Sequence, residues 1–268
     1  MLKDITLGQF FPGNSFIHTL DPRTKLIMLV VYIVALFSAS GWVGYGLCLL
    51  FLGICIAVSH VPVQFFLRGM KPLLFILLFT AILNLFFTPG ETVLLSFWQI
   101  TITLEGVVRA VYMLLRILLL ICATFLLTYT TSPISLTDGL ESLLGPLKHI
   151  KVPVHELSMM MCIALRFIPT LIEETDKIMS AQKARGADFE SGSLMSRVKA
   201  LIPILIPLFV SAFRRADELA TAMECRCYHG GEGRTKMKLL RYHSGDLTAF
   251  GVGILLIAAV IVSKMFGL

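Results

Sequence analysis

Charge is what this sequence has least of. Only 15% of its 268 residues are Asp, Glu, Lys or Arg, where soluble proteins run near a quarter, and 56% are hydrophobic, with a mean hydropathy of +0.84. That excludes a soluble globular domain and puts the chain among multi-span helical membrane proteins. The charge that remains is clustered: 15 of the 23 Lys and Arg lie between Glu141 and Gly245, beside 11 of the 17 acidic residues. A net charge of +6 mixed in this way describes a cytoplasmic region on a membrane anchor, not a basic face for nucleic acid. A cleavable leader is not expected, because no short apolar run precedes a small-residue cleavage site near the N-terminus. A disulfide framework is not expected either. Cys48, Cys55, Cys122 and Cys162 sit inside apolar runs and read as small buried residues of a reducing compartment.

Complete catalytic motifs are missing as well. His155-Glu156 starts a zinc-protease helix, but Met159 stands where the second His belongs. Glu173-Glu174 resembles the paired glutamates of intramembrane proteases, but Ile178 replaces the downstream Arg. Gly230-Gly231-Glu232-Gly233-Arg234-Thr235 has a phosphate-loop flavour, with Tyr228 at the first Gly and Arg234 for the Lys. Cys225, Cys227 and His229 alternate as thiolate and imidazole ligands would, but a fourth zinc ligand is not evident, so no metal is expected.

What is present is apolar length. Runs at about 24–39, 42–59, 71–87, 105–130 and 246–264 each approach the roughly 20 residues that cross ~30 Å of hydrocarbon. Asp21 can cap the first helix with Pro22 at its first position. The stretches 38–41 and 88–103 carry no Lys or Arg, whereas Arg23, Lys25, Arg68, Lys71 and the region after Thr131 are basic. The positive-inside rule therefore places the N-terminus and 132–245 in the cytoplasm and the C-terminus outside. Glu105, Arg109 and Arg116 share one face of the fourth span, where charges pair or mark a path.

Segments 154–172 and 201–213 are also apolar. If both crossed, the loop with Lys177, Lys183, Arg185, Arg197 and Lys199 would lie outside, so they read as amphipathic helices at the membrane. Val154, Leu157, Met161, Ala164, Ile168, Ile172 and Met179 form one apolar stripe. Leu136 to Leu147 forms a shorter helix, capped by Ser135 with Asp138. Pro169, Pro203 and Pro207 predict bends. Met159-Met160-Met161 fits either core or an adaptable surface.

The clearest pattern is a signature that occurs twice. Residues 176–186 and 217–227 share an Asp (Asp176, Asp217), and then a small residue followed by Arg: Ala184-Arg185-Gly186 and Cys225-Arg226-Cys227. The arginines are 41 residues apart, and each closes a long helical pattern. Gly186 suits the left-handed position that ends a helix and exposes Arg185. Cys227 tolerates that position poorly, so the second end is expected to be shaped differently.

With Leu20-Asp21-Pro22-Arg23-Thr24-Lys25-Leu26, Ala184-Arg185-Gly186, and the second motif followed by Tyr228 and Gly233-Arg234-Thr235, the chain resembles the transmembrane T component of energy-coupling factor transporters over nearly its whole length. The resemblance implies an all-α polytopic membrane protein: residues 1–131 with four spans, 132–245 a cytoplasmic coupling domain with two Arg-tipped helices, and 246–268 a final transmembrane helix. It implies a non-catalytic scaffold in a prokaryotic cell membrane. Two cytoplasmic ATPase subunits carry ATP and Mg, Arg185 and Arg226 each enter one ATPase groove, and a separate, exchangeable membrane subunit captures a vitamin or metal. Asp21, Arg23, Lys25, Asp176 and Asp217 would support that site. An intramembrane enzyme and a self-sufficient carrier are the alternatives, and each lacks its own pattern of midplane polar residues.

Overall fold

The computed structural model describes residues 10–87, 92–97, 100–187, 189, 193–231 and 239–266; Gly233, Arg234 and Thr235 lie outside these. The chain divides into two compact units, residues 10–139 with 240–266, and residues 140–231 with 239.

The first unit opens with a short turn of helix, α1 (Phe16–Thr19), and then α2 (Pro22–Ser38). Asp21 starts α2 as expected: its carboxylate accepts the Arg23 N–H at 2.9 Å, and Pro22 occupies the position where no N–H is needed. With α3 (Gly41–Ser59), α6 (Leu104–Thr130) and α10 (Ser244–Met265), α2 encloses a core that includes Tyr32, Leu36, Cys48, Leu52, Leu119, Tyr129 and Val260. Helix α10 packs on α2 and α3, and α6 packs on α2, α3 and α5 (Leu74–Phe87). The third apolar run begins earlier than its composition suggests, as α4 (Val63–Met70), a 3-10 turn (Lys71–Leu73) and α5 (Leu74–Phe87).

Three details depart from the sequence reading. Two strands, β1 (Val93–Phe97) and β2 (Ile100–Thr103), pair as a short antiparallel hairpin within the stretch expected to be a plain loop. The hairpin delivers Thr103 as the cap of α6, where its hydroxyl accepts the Gly106 N–H at 3.1 Å. Helix α7 (Pro133–Leu143) is capped by Ser132 rather than Ser135: the Ser132 hydroxyl accepts the Ser135 N–H at 3.2 Å, and Pro133 then takes the first helical position. Of the cysteines expected to be buried, Cys48 and Cys122 are, whereas Cys55 and Cys162 are only half-buried.

The second unit holds a 3-10 segment (Gly145–Ile150), α8 (Val154–Ala184) and α9 (Leu194–Glu224). Along the expected α8 stripe only Val154 is buried; Leu157 and Met161 are exposed, as is Met160, so this part of α8 is open surface. Both helices continue through their prolines. Among the described residues five helices are long and apolar enough to cross a membrane: Gly41–Ser59, Val63–Phe86, Leu104–Thr130, Val154–Ala184 and Ser244–Met265. Their number matches expectation and their membership differs by one. Helix α2, with 17 residues, sits at the lower limit of about 17 that can cross. Helix α8 qualifies by length and composition despite seven charged residues.

Candidate functional site: two arginine-tipped helix ends

Helices α8 and α9 pack against each other, and two contacts fix their sense. Gln182 Nε2 donates to the Pro203 carbonyl at 3.4 Å, and Arg215 Nη2 donates to Glu174 Oε2 at 3.1 Å. Moving forward along α8 from 174 to 182 means moving back along α9 from 215 to 203, so the helices run antiparallel. The first contact has a local cause. Pro207 has no N–H to offer the carbonyl four residues earlier, and the Gln182 amide takes that orphaned acceptor.

Beyond the Glu174–Arg215 contact each helix runs eleven residues to its arginine, about 16 Å of helix. Because the helices are antiparallel, the two arms point in opposite directions. The repeat extends to side chains: Ser180 and Thr221, also 41 apart, each donate to the carbonyl of their own Asp, Asp176 and Asp217. Those aspartates stand about 13 Å of helix behind their arginines, so they belong to the shafts and not to the tips.

The two ends are closed in the same way. At the first, Ala187 N–H bonds the Gln182 carbonyl and Gly186 N–H bonds the Lys183 carbonyl, each at 3.0 Å, with Gly186 at φ 87°. At the second, Tyr228 N–H bonds the Met223 carbonyl at 3.1 Å and Cys227 N–H bonds the Glu224 carbonyl at 2.8 Å, with Cys227 at φ 55°. This six-residue closure satisfies carbonyls that a helix end leaves bare. The expectation of a differently shaped second end is therefore corrected: Cys227 accepts a left-handed backbone that costs an L-residue roughly 1–2 kcal/mol, against two end hydrogen bonds of about 1 kcal/mol each. Ala184, Arg185 and Gly186, and Cys225, Arg226 and Cys227, are all exposed. The result is a pair of matched prongs, each with one exposed arginine.

The family described as "Cobalt transport protein" matches residues 13–237. The chain is 54% identical over 264 residues to the "Energy-coupling factor transporter transmembrane protein EcfT" of Ruminiclostridium cellulolyticum, covering 98% of each chain. It is 52% identical to the protein of that name from Clostridium kluyveri, covering 99% of each, and 48% identical to that of Lactococcus lactis, covering 98% of this chain and all of the relative. The chain belongs to the energy-coupling factor transporter transmembrane protein family. It is thus a multi-pass membrane component of a transporter.

The remaining expected site residues of this transmembrane component lie in the first unit, where most have a structural task. Asp21 pairs with Arg23 through Nη2–Oδ2 at 3.1 Å and Nε–Oδ1 at 3.1 Å, and the Arg23 guanidinium lies 4.2 Å from the Tyr242 ring centroid. Asp246, which the sequence reading missed, accepts the Asp21 N–H at 2.9 Å and the His243 N–H at 2.8 Å, joining the starts of α2 and α10. Lys25 Nζ donates to the Thr130 carbonyl at 2.9 Å and the His18 carbonyl at 3.2 Å, closing the ends of α6 and α1. Glu105 accepts from Thr92 Oγ1 at 2.7 Å, while Arg116 donates to the Tyr45 hydroxyl at 2.6 Å and 3.0 Å. The structure brings these two to different partners, and Arg109 is exposed. Among the described residues no cluster of three or more His, Cys, Asp or Glu could hold a metal.

The Glu174–Arg215 contact also escaped sequence reading, although the signal was available. The two residues are 41 apart, the spacing of the arginines, with acid on one copy and base on the other.

Proposed function

We propose that this chain is the scaffold subunit of an energy-coupling factor importer, non-catalytic itself, that passes the ATP-driven motion of two cytoplasmic ATPase subunits to a separate substrate-capture membrane subunit for vitamin or micronutrient uptake. The observation that carries this reading is the pair of exposed, identically closed helix ends, each with one arginine, on antiparallel arms of equal length. Two equivalent prongs suit two equivalent receivers. A guanidinium is always charged and holds a carboxylate through two parallel hydrogen bonds, so it suits a docking tip better than Lys. ATP and Mg reside on the partner ATPases, and no cofactor is held by this chain.

The orientation follows from the loops. With α2, α3, α4–α5, α6 and α10 spanning, the N-terminus and both prongs face the cytoplasm and the C-terminus faces outside. Helix α8 lies at the membrane on the cytoplasmic side, since crossing would carry Arg185 away from any ATP-dependent partner.

The test is co-purification of the ATPase subunits with variants of this chain, alongside substrate uptake in vesicles. Removing one member of a desolvated charge pair costs about 2–5 kcal/mol. Two prongs act as a bivalent attachment, so either single alanine is expected to leave weakened assembly and sharply reduced uptake. The double variant Arg185→Ala with Arg226→Ala is expected to release the ATPases. Full assembly and normal uptake in that double variant would overturn the reading.

A further inference from the structure

Beyond the second prong the backbone packs against the start of α8. After Arg226 the chain turns at Cys227 and Gly230 (φ 96°) and reaches Gly231. A Cβ added at Gly231 would stand 2.5 Å from His155 Cδ2 and 2.9 Å from Cγ, so backbone lies directly against that imidazole and only glycine fits. The ring is itself held. His155 Nδ1 shares a 3.0 Å hydrogen bond with Glu141 Oε1, and Ser158 Oγ donates to Glu141 Oε2 at 3.2 Å. The Glu141 side chain is only 10% exposed and that of His155 19%. Among the described residues the buried His155 Nε2 takes no hydrogen bond, and the Gly231 backbone packs against the ring. At the first tip, a Cβ at Gly186 would meet nothing within 4 Å.

We propose that Glu141, His155 and Ser158 are positioning residues for Arg226. They form a seat for the 228–231 segment, which holds the second prong in one pose. The proposal rests on the reading that the prongs dock ATPase subunits. In it, the ATPase that meets Arg226 binds a tip held from behind by the start of α8.

The seat can be tested apart from docking. In the full chain in lipid nanodiscs without ATPases, native cysteines replaced, a nitroxide is placed at His229→Cys or at Ala187→Cys. Gly231→Val and Glu141→Ala are expected to raise label mobility at 229 and leave it unchanged at 187. Glu141→Gln is expected to restore low mobility, because its amide still accepts from His155 and donates to Ser158. In co-purification, Gly231→Val is expected to weaken ATPase capture on the order of tenfold, alone and with Arg185→Ala, and to add nothing to Arg226→Ala. Unchanged mobility at 229 in Gly231→Val overturns the seat. Raised mobility with unchanged capture overturns the positioning role. If Arg226→Ala itself leaves capture intact, the docking reading falls and the positioning role with it, while the seat stands on the mobility result.

Discussion

Glu174 on α8 and Arg215 on α9 meet at 3.1 Å, and they are the same position of the 41-residue repeat, each eleven residues before its arginine. An acid in one copy and a base in the other let two copies of one pattern bind each other where they cross. Both side chains are partly exposed, 25% and 36%, so the pair contributes about 0.5 kcal/mol to stability. Its consequence lies in geometry: a shift at the crossing is carried along ~16 Å of helix to each tip. Glu174→Arg and Arg215→Glu alone place like charges together and are expected to weaken ATPase co-purification. The exchange of both is expected to recover most of it. A double exchange no better than either single variant would mean the pair does not set the crossing.

The shared end closure gives a second prediction. Cys227 holds φ 55° where glycine would be unstrained, so Cys227→Gly is expected to stabilise the end of α9 by up to about 1 kcal/mol. Gly186→Val is expected to cost about 1 kcal/mol or more at the end of α8. Hydrogen exchange of the Tyr228 and Ala187 amides reads the two ends separately: slower at Tyr228 in the first variant, faster at Ala187 in the second. Faster exchange at Tyr228 in Cys227→Gly would contradict the strain argument.

Much of this architecture was legible because its causes are local. The Asp21-Pro22 pair marked the start of α2, and Gly186 marked the end of α8, since a cap and a left-handed turn each need particular residues at one position. Cys227 misled because residue preference opposed the turn while hydrogen bonds to the Met223 and Glu224 carbonyls favoured it, two bonds of about 1 kcal/mol each offsetting a strain of roughly 1–2 kcal/mol. Ser132 and Ser135 are equally good caps; Pro133 between them was the discriminating residue, since it prefers the first helical position. The short hairpin at 93–103 gave too few residues for a periodic signal. Asp246 against Asp21, and Gly231 against His155, join residues far apart in the chain, and no local rule reaches them.

The lead-in to α2 separates stability from docking. Lys25 is nearly buried and satisfies carbonyls of Thr130 and His18. Charged hydrogen bonds of this kind contribute ~1.5–3 kcal/mol each, so Lys25→Met is expected to lower thermal stability in nanodiscs by roughly 2 kcal/mol. Asp21→Ala, losing a cap and the Arg23 pair, is expected to cost about 1–2 kcal/mol. ATPase capture per folded molecule is expected to stay unchanged in both. Capture that falls while the melting temperature holds would assign these residues to docking instead.

The last prediction concerns α8, the one helix whose hydropathy and charge disagree. By length and composition Val154–Ala184 could cross a bilayer. Its charged residues are Glu156, Arg166, Glu173, Glu174, Asp176, Lys177 and Lys183, and a charge at the bilayer centre costs about 2.5–3.5 kcal/mol even on the most lenient scale. Five of the seven lie in its last twelve residues, which leaves the helix amphipathic along its length as well as around it. Helix α2 has the opposite character: 17 residues, charged only at Arg23 and Lys25, both in its first turn. The balance favours α2 crossing and α8 staying on the cytoplasmic side. In a background without native cysteines, single cysteines at Ser40 and Phe266 are therefore expected to react with an impermeant thiol reagent added outside intact cells. A cysteine at Ala187 is expected to react only after the membrane is opened. Labelling of Ala187 from outside would put Arg185 on the far face, where no cytoplasmic ATPase could meet it, and the docking reading would fail with the topology.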